Sequence, residues 1–219
     1  MGRWYLRRTD APCSGRHAGP VIGSLGSRLR LVLRQPSDYR DWHGPGGTDA
    51  DALPEVDFVA YALHERLSGR VRLDSARLSD MLNSHEEFVL VDALAERLPD
   101  GGSMVVSEIL LRRHELAVVH ATGPRGDRSQ RIRTETHPLV VRVGRYLVSG
   151  RLHVGQGQDA LQSLRSRQAM VPLTEAAIEF RVGPDVVREP ASGIVVNRDL
   201  VDWVREGSPV YDRSEVPWS

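Results

Sequence analysis

A segment of eleven residues occurs twice in this chain, and the duplication limits the possible folds more than any other feature. Residues 109–119 read Ile-Leu-Leu-Arg-Arg-His-Glu-Leu-Ala-Val-Val, and residues 194–204, which lie 85 positions later, read Ile-Val-Val-Asn-Arg-Asp-Leu-Val-Asp-Trp-Val. Each copy has an apolar triplet, a short polar turn that contains arginine, and further apolar residues. This pattern predicts two short strands, or one bent strand, around a tight turn.

Two more segments recur in the same order. The Ser-Gly-Arg of residues 68–70 returns at residues 149–151, 81 positions later, and the predicted strand at 88–93 returns at 170–176. Three segments repeated in one order at nearly constant spacing indicate a tandem duplication. Trp203 takes the place of Val118, so the duplication predicts that Trp203 fills the second core.

Each repeat is predicted to be an all-β unit. It has about 70 residues with five short strands and one helical turn, at 77–83 in the first copy. Units of this kind limit their exposed strand edges by closing into small barrels. The predicted organisation is a tail at 1–54, a first β-barrel at 55–122, an arginine-rich linker at 123–136, a second β-barrel at 137–207 and a C-terminal tail at 208–219.

Charge and composition set residues 1–54 apart from the rest. The whole chain is neutral and all 29 basic residues are arginine, but residues 1–54 hold 8 Arg against 5 Asp. Scattered glycine and proline, with little apolar periodicity, predict a disordered N-terminal arm. The alternative is a basic arm that contacts RNA, membrane or a partner.

A family resemblance enters with two motifs. Gly69-x-Val71, followed by Asp80-Met81-Leu82-Asn83 and by residues 90–93, resembles the first motif of the Sm-like small barrels, and residues 109–119 are similar to their second motif. The resemblance implies two tandem SH3/Sm-like β-barrels with short helical turns. It also implies RNA-binding loops lined by Asp80, Asn83, Arg112, Arg113, Asn197 and Arg198, because asparagine reads base edges and arginine stacks on bases or pairs with phosphate.

The same residues also have a purely structural interpretation, which we favour. Asp80 and Asn83 would cap a helical turn, and Arg112 and Arg113 would be solvated turn residues. The second motif of the family has glycine after its arginine, where this chain has Arg113 and Arg198. The nearly neutral body also lacks the excess of cations that a broad nucleic-acid interface needs.

The sequence offers little that resembles a catalytic, cofactor or metal site. Residues 155–160 fit part of a dinucleotide-binding fingerprint, with Glu175 at a suitable distance for a ribose, but the segment Asp159–Gln168 is too short for a crossover helix. The single cysteine, Cys13, excludes an internal disulfide and lies in the predicted tail. Six of the eight histidines lie beyond residue 54 and lack metal-binding spacing; they are His64, His85, His114, His120, His137 and His153.

These observations predict a cytoplasmic protein without enzymatic activity, cofactor or metal. No run of residues approaches the roughly 18 apolar positions of a membrane helix. The function predicted first is an adaptor or assembly subunit that binds a protein partner, or copies of itself, through its tandem β-barrels. The alternative is an Sm-like RNA-binding protein, whose binding would weaken steeply as salt is raised.

Overall fold

The computed structural model describes residues 22–25, 29–32, 53–124 and 133–207. Two short strands come first, β1 (Ile22–Leu25) and β2 (Leu29–Val32), which pair with each other in an antiparallel hairpin. Most of the predicted disordered tail at 1–54, Cys13 and the C-terminal tail at 208–219 lie outside the described residues. So do residues 125–132 of the predicted linker.

Two consecutive units follow with the same order of elements. The first unit contains β3 (Glu55–Tyr61), β4 (Glu65–Arg72), α1 (Leu78–Ser84), β5 (Glu87–Arg97), β6 (Ser103–Arg112), a 3-10 turn (Arg113–Glu115) and β7 (Val118–His120). The second unit contains β8 (Thr134–Val143), β9 (Tyr146–Gly155), α2 (Ala160–Ser166), β10 (Met170–Val182), β11 (Asp185–Asn197), a 3-10 turn (Arg198–Leu200) and β12 (Trp203–Glu206). The strands and helical turns of the second copy follow those of the first in the same order, but β8 begins at Thr134, inside the segment 123–136 that was predicted to be a linker.

The ten strands from β3 to β12 form one antiparallel sheet in the order β12-β8-β9-β10-β11-β7-β3-β4-β5-β6. Within each unit the fifth strand lies beside the first, and the remaining strands follow in sequence. The pairing of β7 with β11 joins the two units. The all-β class is thus confirmed, but the sheet does not close on itself, and the division into two small barrels stays a prediction.

Both units bend their third strand at the same place. Asp92 in β5 and Glu175 in β10 have φ values of 49° and 48°, which non-glycine residues seldom adopt. The pairing of each strand with its neighbour shifts register around that residue, as at a β-bulge. Arg70 forms an ion pair with Asp92, and Arg151 Nε lies 2.8 Å from Glu175 Oε2. The repeated bulge and ion pair give both units the same local geometry.

The two hydrophobic cores occupy equivalent positions but share residues. Leu111 and Val196, 85 positions apart, are both buried and pair with the corresponding residues Phe88 and Val171 of the neighbouring strands. The first core also includes side chains of the second unit, namely Met170 and Val195. The second core includes side chains of the first unit, namely Tyr61, Leu98, Ala117 and Val118. Neither core is complete without the other unit.

One local prediction needs correction. Trp203 does not fill the second core: its side chain lies on β12 with 45% of its surface exposed, whereas Val118 is fully buried. The difference arises because β7 is covered by β11, while β12 pairs only with β8 among the described strands. Pro172 within an apolar strand predicts that the strand lies at an edge or carries a β-bulge. The bulge is present at Glu175, although β10 is an inner strand. Its pairing with β9 begins at Thr174, so Pro172 pairs with β11 alone.

The close approach of β4 to the bulged strand predicts different costs for two equivalent substitutions. A Cβ atom at Gly69 would lie 2.7 Å from the Val91 carbonyl oxygen, whereas at Gly150 its nearest neighbours, at 3.0 Å, are the Cβ atoms of Ala176 and Leu173. We expect Gly69→Ala to lower the free energy of unfolding by about 1–3 kcal/mol, because backbone must move to admit the methyl group. Gly150→Ala should lower the free energy of unfolding by less. Urea unfolding measures both variants, and equal losses would contradict the closer backbone contact at Gly69.

Candidate functional site

The junction between the two units is a short stretch of backbone pairing. Val119 of β7 lies between Val195 of β11 on one side and Ala60 of β3 on the other. Two further bonds flank the Val119–Val195 pair: the Asn197 amide donates to the Ala117 carbonyl, and the Ala121 amide donates to the Gly193 carbonyl, each at 3.0 Å. The junction therefore uses the ordinary hydrogen bonds of an antiparallel sheet.

Asn197 reinforces this pairing with its side chain. It is almost completely buried, and its Nδ2 donates to the Leu116 carbonyl at 2.9 Å and to the Arg113 carbonyl at 3.2 Å. Its Oδ1 accepts a bond from the Asp199 amide at 3.2 Å. The side chain thus fastens the end of β11 to the 3-10 turn of the first unit, and its polar atoms are satisfied within the protein.

Asn83 makes a second connection between the units. Its Nδ2 donates to the Met170 carbonyl at 2.9 Å, and its Oδ1 accepts from the Met170 amide at 3.0 Å. The amide group pairs with the first residue of β10 as a neighbouring strand would. Nδ2 also donates to the Ser79 carbonyl within α1 at 2.9 Å. This explains why asparagine suits the position, since it offers both a donor and an acceptor.

The arginine of each 3-10 turn binds the C-terminal end of the short helix in its own unit. Arg113 Nη1 donates to the Asn83 carbonyl at 3.0 Å. Arg198 Nη1 donates to the Arg165 carbonyl at 2.8 Å and to the Arg167 carbonyl. Carbonyls at a helix end lack partners within the helix, and a cation there also interacts favourably with the helix dipole. The repeated arginine therefore has the same structural role in both units.

The structure separates the six residues predicted to line RNA-binding loops. Contacts join three of them, Asn83, Arg113 and Asn197, at the junction. Arg198 performs its capping role in the second unit, and Asp80 is exposed on α1. Arg112 lies on β6, where its Nε is 2.9 Å from Glu87 Oε1 in an ion pair at the surface. A part in RNA binding stays a prediction for all six.

Among the described residues, the end strands of the ten-stranded sheet have backbone groups without partners on their outer sides. On β12, the Gly207 amide just after the strand donates to the Pro138 carbonyl of β8 at 2.9 Å, so by the alternation of an antiparallel strand Val204 directs its amide and carbonyl outward. On β6, the Arg113 amide just after the strand donates to the Glu86 carbonyl, which by the same alternation turns Leu110 outward. β2 lies near β6 but belongs to a separate two-stranded sheet.

A groove of about 640 Å³ opens where turns of both units meet. Its lining includes Leu63, Glu65 and His114 of the first unit, with Val143 and Asp202 of the second. Glu65 is 4% exposed, and its Oε1 has no hydrogen-bond partner among the described residues. Burial raises the pKa of the Glu65 carboxyl group. The neutral form of this side chain is therefore favoured by folding.

Tyr61 anchors the junction from β3, and the sequence analysis did not single it out. The fully buried ring contacts those of Tyr146 and Phe180, with centroids 5.5 and 5.3 Å away, and its hydroxyl donates to Glu189 Oε2 at 2.6 Å. Burial raises the pKa of Tyr61, and burial also lowers the pKa of the neighbouring His120. Tyr61 corresponds to Arg142 in the second copy, so a comparison of the two repeats could not identify Tyr61 as a junction residue.

Asn197 provides a test of the junction, with a control at the equivalent position of the other unit. In Asn197→Ala, the buried Leu116 carbonyl and the partly buried Arg113 carbonyl lose their side-chain donor, so we expect the free energy of unfolding to fall by about 1–3 kcal/mol. Arg112→Ala, 85 positions earlier, removes an exposed ion pair and should cost less than about 1 kcal/mol. Urea unfolding measures both, and similar losses would contradict the clamping role of Asn197.

Glu65 predicts a dependence of stability on pH. A carboxyl group whose pKa is raised by folding contributes stability at low pH that is lost as pH rises from its ordinary pKa through the folded value. Glu65→Gln removes the ionisation, so the variant should gain thermal stability over the parent at pH 7 and lose that advantage near pH 4. Glu115→Gln, in the same groove, is the control. A constant difference across this range would contradict the effect of burial.

Comparison of the chain with protein-family models, curated proteins and solved structures finds no match. Among residues 53–124 and 133–207, no three histidine, cysteine or acidic side chains are grouped in a way that could hold a metal ion. The described helices are too short to cross a membrane. The geometry of the junction and of the sheet ends is therefore the basis for assigning a function.

Proposed function

We propose that this protein is a cytoplasmic, non-enzymatic adaptor or assembly subunit that binds other protein chains by adding strands to the ends of its sheet. The observation that carries the proposal is the β7–β11 pairing. It shows that the fourth strand of one unit and the fifth strand of another are compatible edges. The other fourth strand, β6 of the first unit, and the other fifth strand, β12 of the second unit, form the two ends of the described sheet.

The chemistry of the end strands supports strand addition. Backbone bonds supply much of the affinity in this mode of recognition, while side chains that alternate along the strand supply specificity. The end strands expose large apolar side chains, Val105 on β6 with 77% of its surface and Trp203 on β12 with 45%. Exposed tryptophan is frequent among the residues that dominate the energetics of protein interfaces.

RNA binding, which the Sm-like resemblance implies, has less support from the described residues. Asn83, Arg113, Asn197 and Arg198 use their side chains in contacts that hold the two units together or cap helices. A ligand that recruited these groups would have to break those contacts. Filter binding of single-stranded RNA at low salt measures this alternative directly.

Site-specific cross-linking tests the proposed function. A photo-reactive benzoyl-phenylalanine replaces Trp203 in the cell that makes the protein, and a control chain carries it at Val186, which is 52% exposed at the start of β11. We expect protein adducts from position 203, mapped to residues of an extended strand, and few from position 186. Equal yields from both positions, or adducts to nucleic acid alone, would overturn the proposal.

A further inference from the structure

We propose that the partner at these edges is a second copy of the same chain, bound head to tail through β12 of one copy and β6 of the next. The inference rests on the proposed function and gives it a specific partner. It also specifies the register, with Val204 of one copy opposite Leu110 of the other. The argument proceeds from the internal junction, because one chain already contains an example of the interface.

The duplication relates every residue of the internal junction to one on an end strand. Moving 85 positions forward takes Val119 of β7 to Val204 of β12, and moving 85 positions back takes Val195 of β11 to Leu110 of β6. Since Val119 and Val195 are paired in the sheet, their equivalents are the expected pair between copies. The internal register thus transfers without adjustment to the two end strands.

The backbone groups that this pairing needs are directed outward. The two bonds that flank the internal pair have equivalents between copies: the Arg112 amide would donate to the Asp202 carbonyl, and the Glu206 amide to the Glu108 carbonyl. Val204 and Leu110 already point away from their own neighbouring strands. The pairing therefore forms new bonds without breaking a bond of the sheet.

Side-chain exposure shows what this interface would cover. Val118 is fully buried at the internal junction, and its equivalent Trp203 is the large ring left at the edge. Val195 is also fully buried, and its equivalent Leu110 is only partly covered. A neighbouring copy would place Trp203 opposite Leu111, the equivalent of Val196. Burial of this apolar surface would stabilise the contact.

Charges at the second contact of the junction are complementary. Internally, Asn83 at the end of α1 bonds to Met170 at the start of β10. The equivalent positions are Arg165, in α2 of one copy, and Glu87, at the start of β5 of the next, and both side chains are exposed. Opposite charges at these positions favour the same register and disfavour pairing of two identical edges.

The resulting contact is heterologous, so each copy keeps one edge available after the other is used. Repetition of such a contact gives a closed ring when the rotation closes and an open filament when it does not. Arg142 and Asp202 stand where the internal junction has Tyr61 and Ala117. Because the contact between copies is more polar than the internal one, we expect association that depends on protein concentration.

Two single-edge variants test the inference in the full chain. Val204→Pro removes the outward amide of β12 and leaves β6 intact, whereas Leu110→Pro does the reverse; proline is tolerated at such outward positions of edge strands. Light scattering after size exclusion gives the mass between about 5 and 200 μM, where oligomer populations follow mass action. The parent should form oligomers, whereas each variant alone should stay at the 24.4 kDa of one chain. An equimolar mixture of the two variants should reach twice that mass and no more, because each dimer would have one disrupted edge at either end.

Each other outcome overturns the second-copy inference. If the parent stays monomeric, for instance because its own N-terminal hairpin covers β6, the second-copy inference is excluded. The proposed function would still stand if position 203 formed adducts with another protein. Oligomers of either variant alone, or a mixture that does not pair, exclude the β6–β12 contact. Circular dichroism checks folding, and Val204→Lys with Leu110→Lys repeats the mixing test if proline disrupts a strand.

Discussion

The pairing of β7 with β11 is the interaction on which the rest of this structure depends. β7 has only three residues, yet it is the strand that turns two five-stranded units into one sheet. Its side chains contribute to both hydrophobic cores, because Val118 belongs to the second core and Val119 to the first. A short strand can have this role because Asn83 and Asn197 add side-chain bonds between the units next to its N-terminal end.

The two copies have diverged most visibly where their surroundings differ. Positions that shape each unit by itself keep their chemistry: glycine beneath the bulge at Gly69 and Gly150, and an acidic residue on the bulge at Asp92 and Glu175. Positions that meet the other unit do not, since an arginine stands at 165 where the first copy has Asn83. Only one of each such pair is at the internal junction, and the other faces outward.

The sequence predicted the architecture to the extent that local patterns determine it. Apolar triplets before a polar turn located β6 and β11. Residues 99–102, Pro-Asp-Gly-Gly, are typical of a turn, and the chain turns there after β5, where Gly101 has a φ of 71°. The exposure of Trp203 was not predictable in this way. It depends on which strand neighbours β12, a contact between distant parts of the chain, and not on the apolar character of the residue.

The candidate site shows the same limit more clearly. Asn83 was noticed in a motif that resembles the Sm-like family and Asn197 in the recurring segment, but their partners lie 87 and 81 positions away. Side-chain amides that bond to backbone leave no periodic trace in a sequence. Arg113 was predicted to be a solvated turn residue, whereas the structure directs it to a helix end that is close only in the folded chain.

The sharing of side chains between the cores has a consequence for synthesis on the ribosome. The first unit ends at His120, but its core also requires Met170 and Val195, which are translated much later. Until then, apolar positions of the nascent amino-terminal half lack their cover and are open to chaperones or to premature association. The first core can therefore be completed only after β11 has been synthesised, through contacts of long sequence separation.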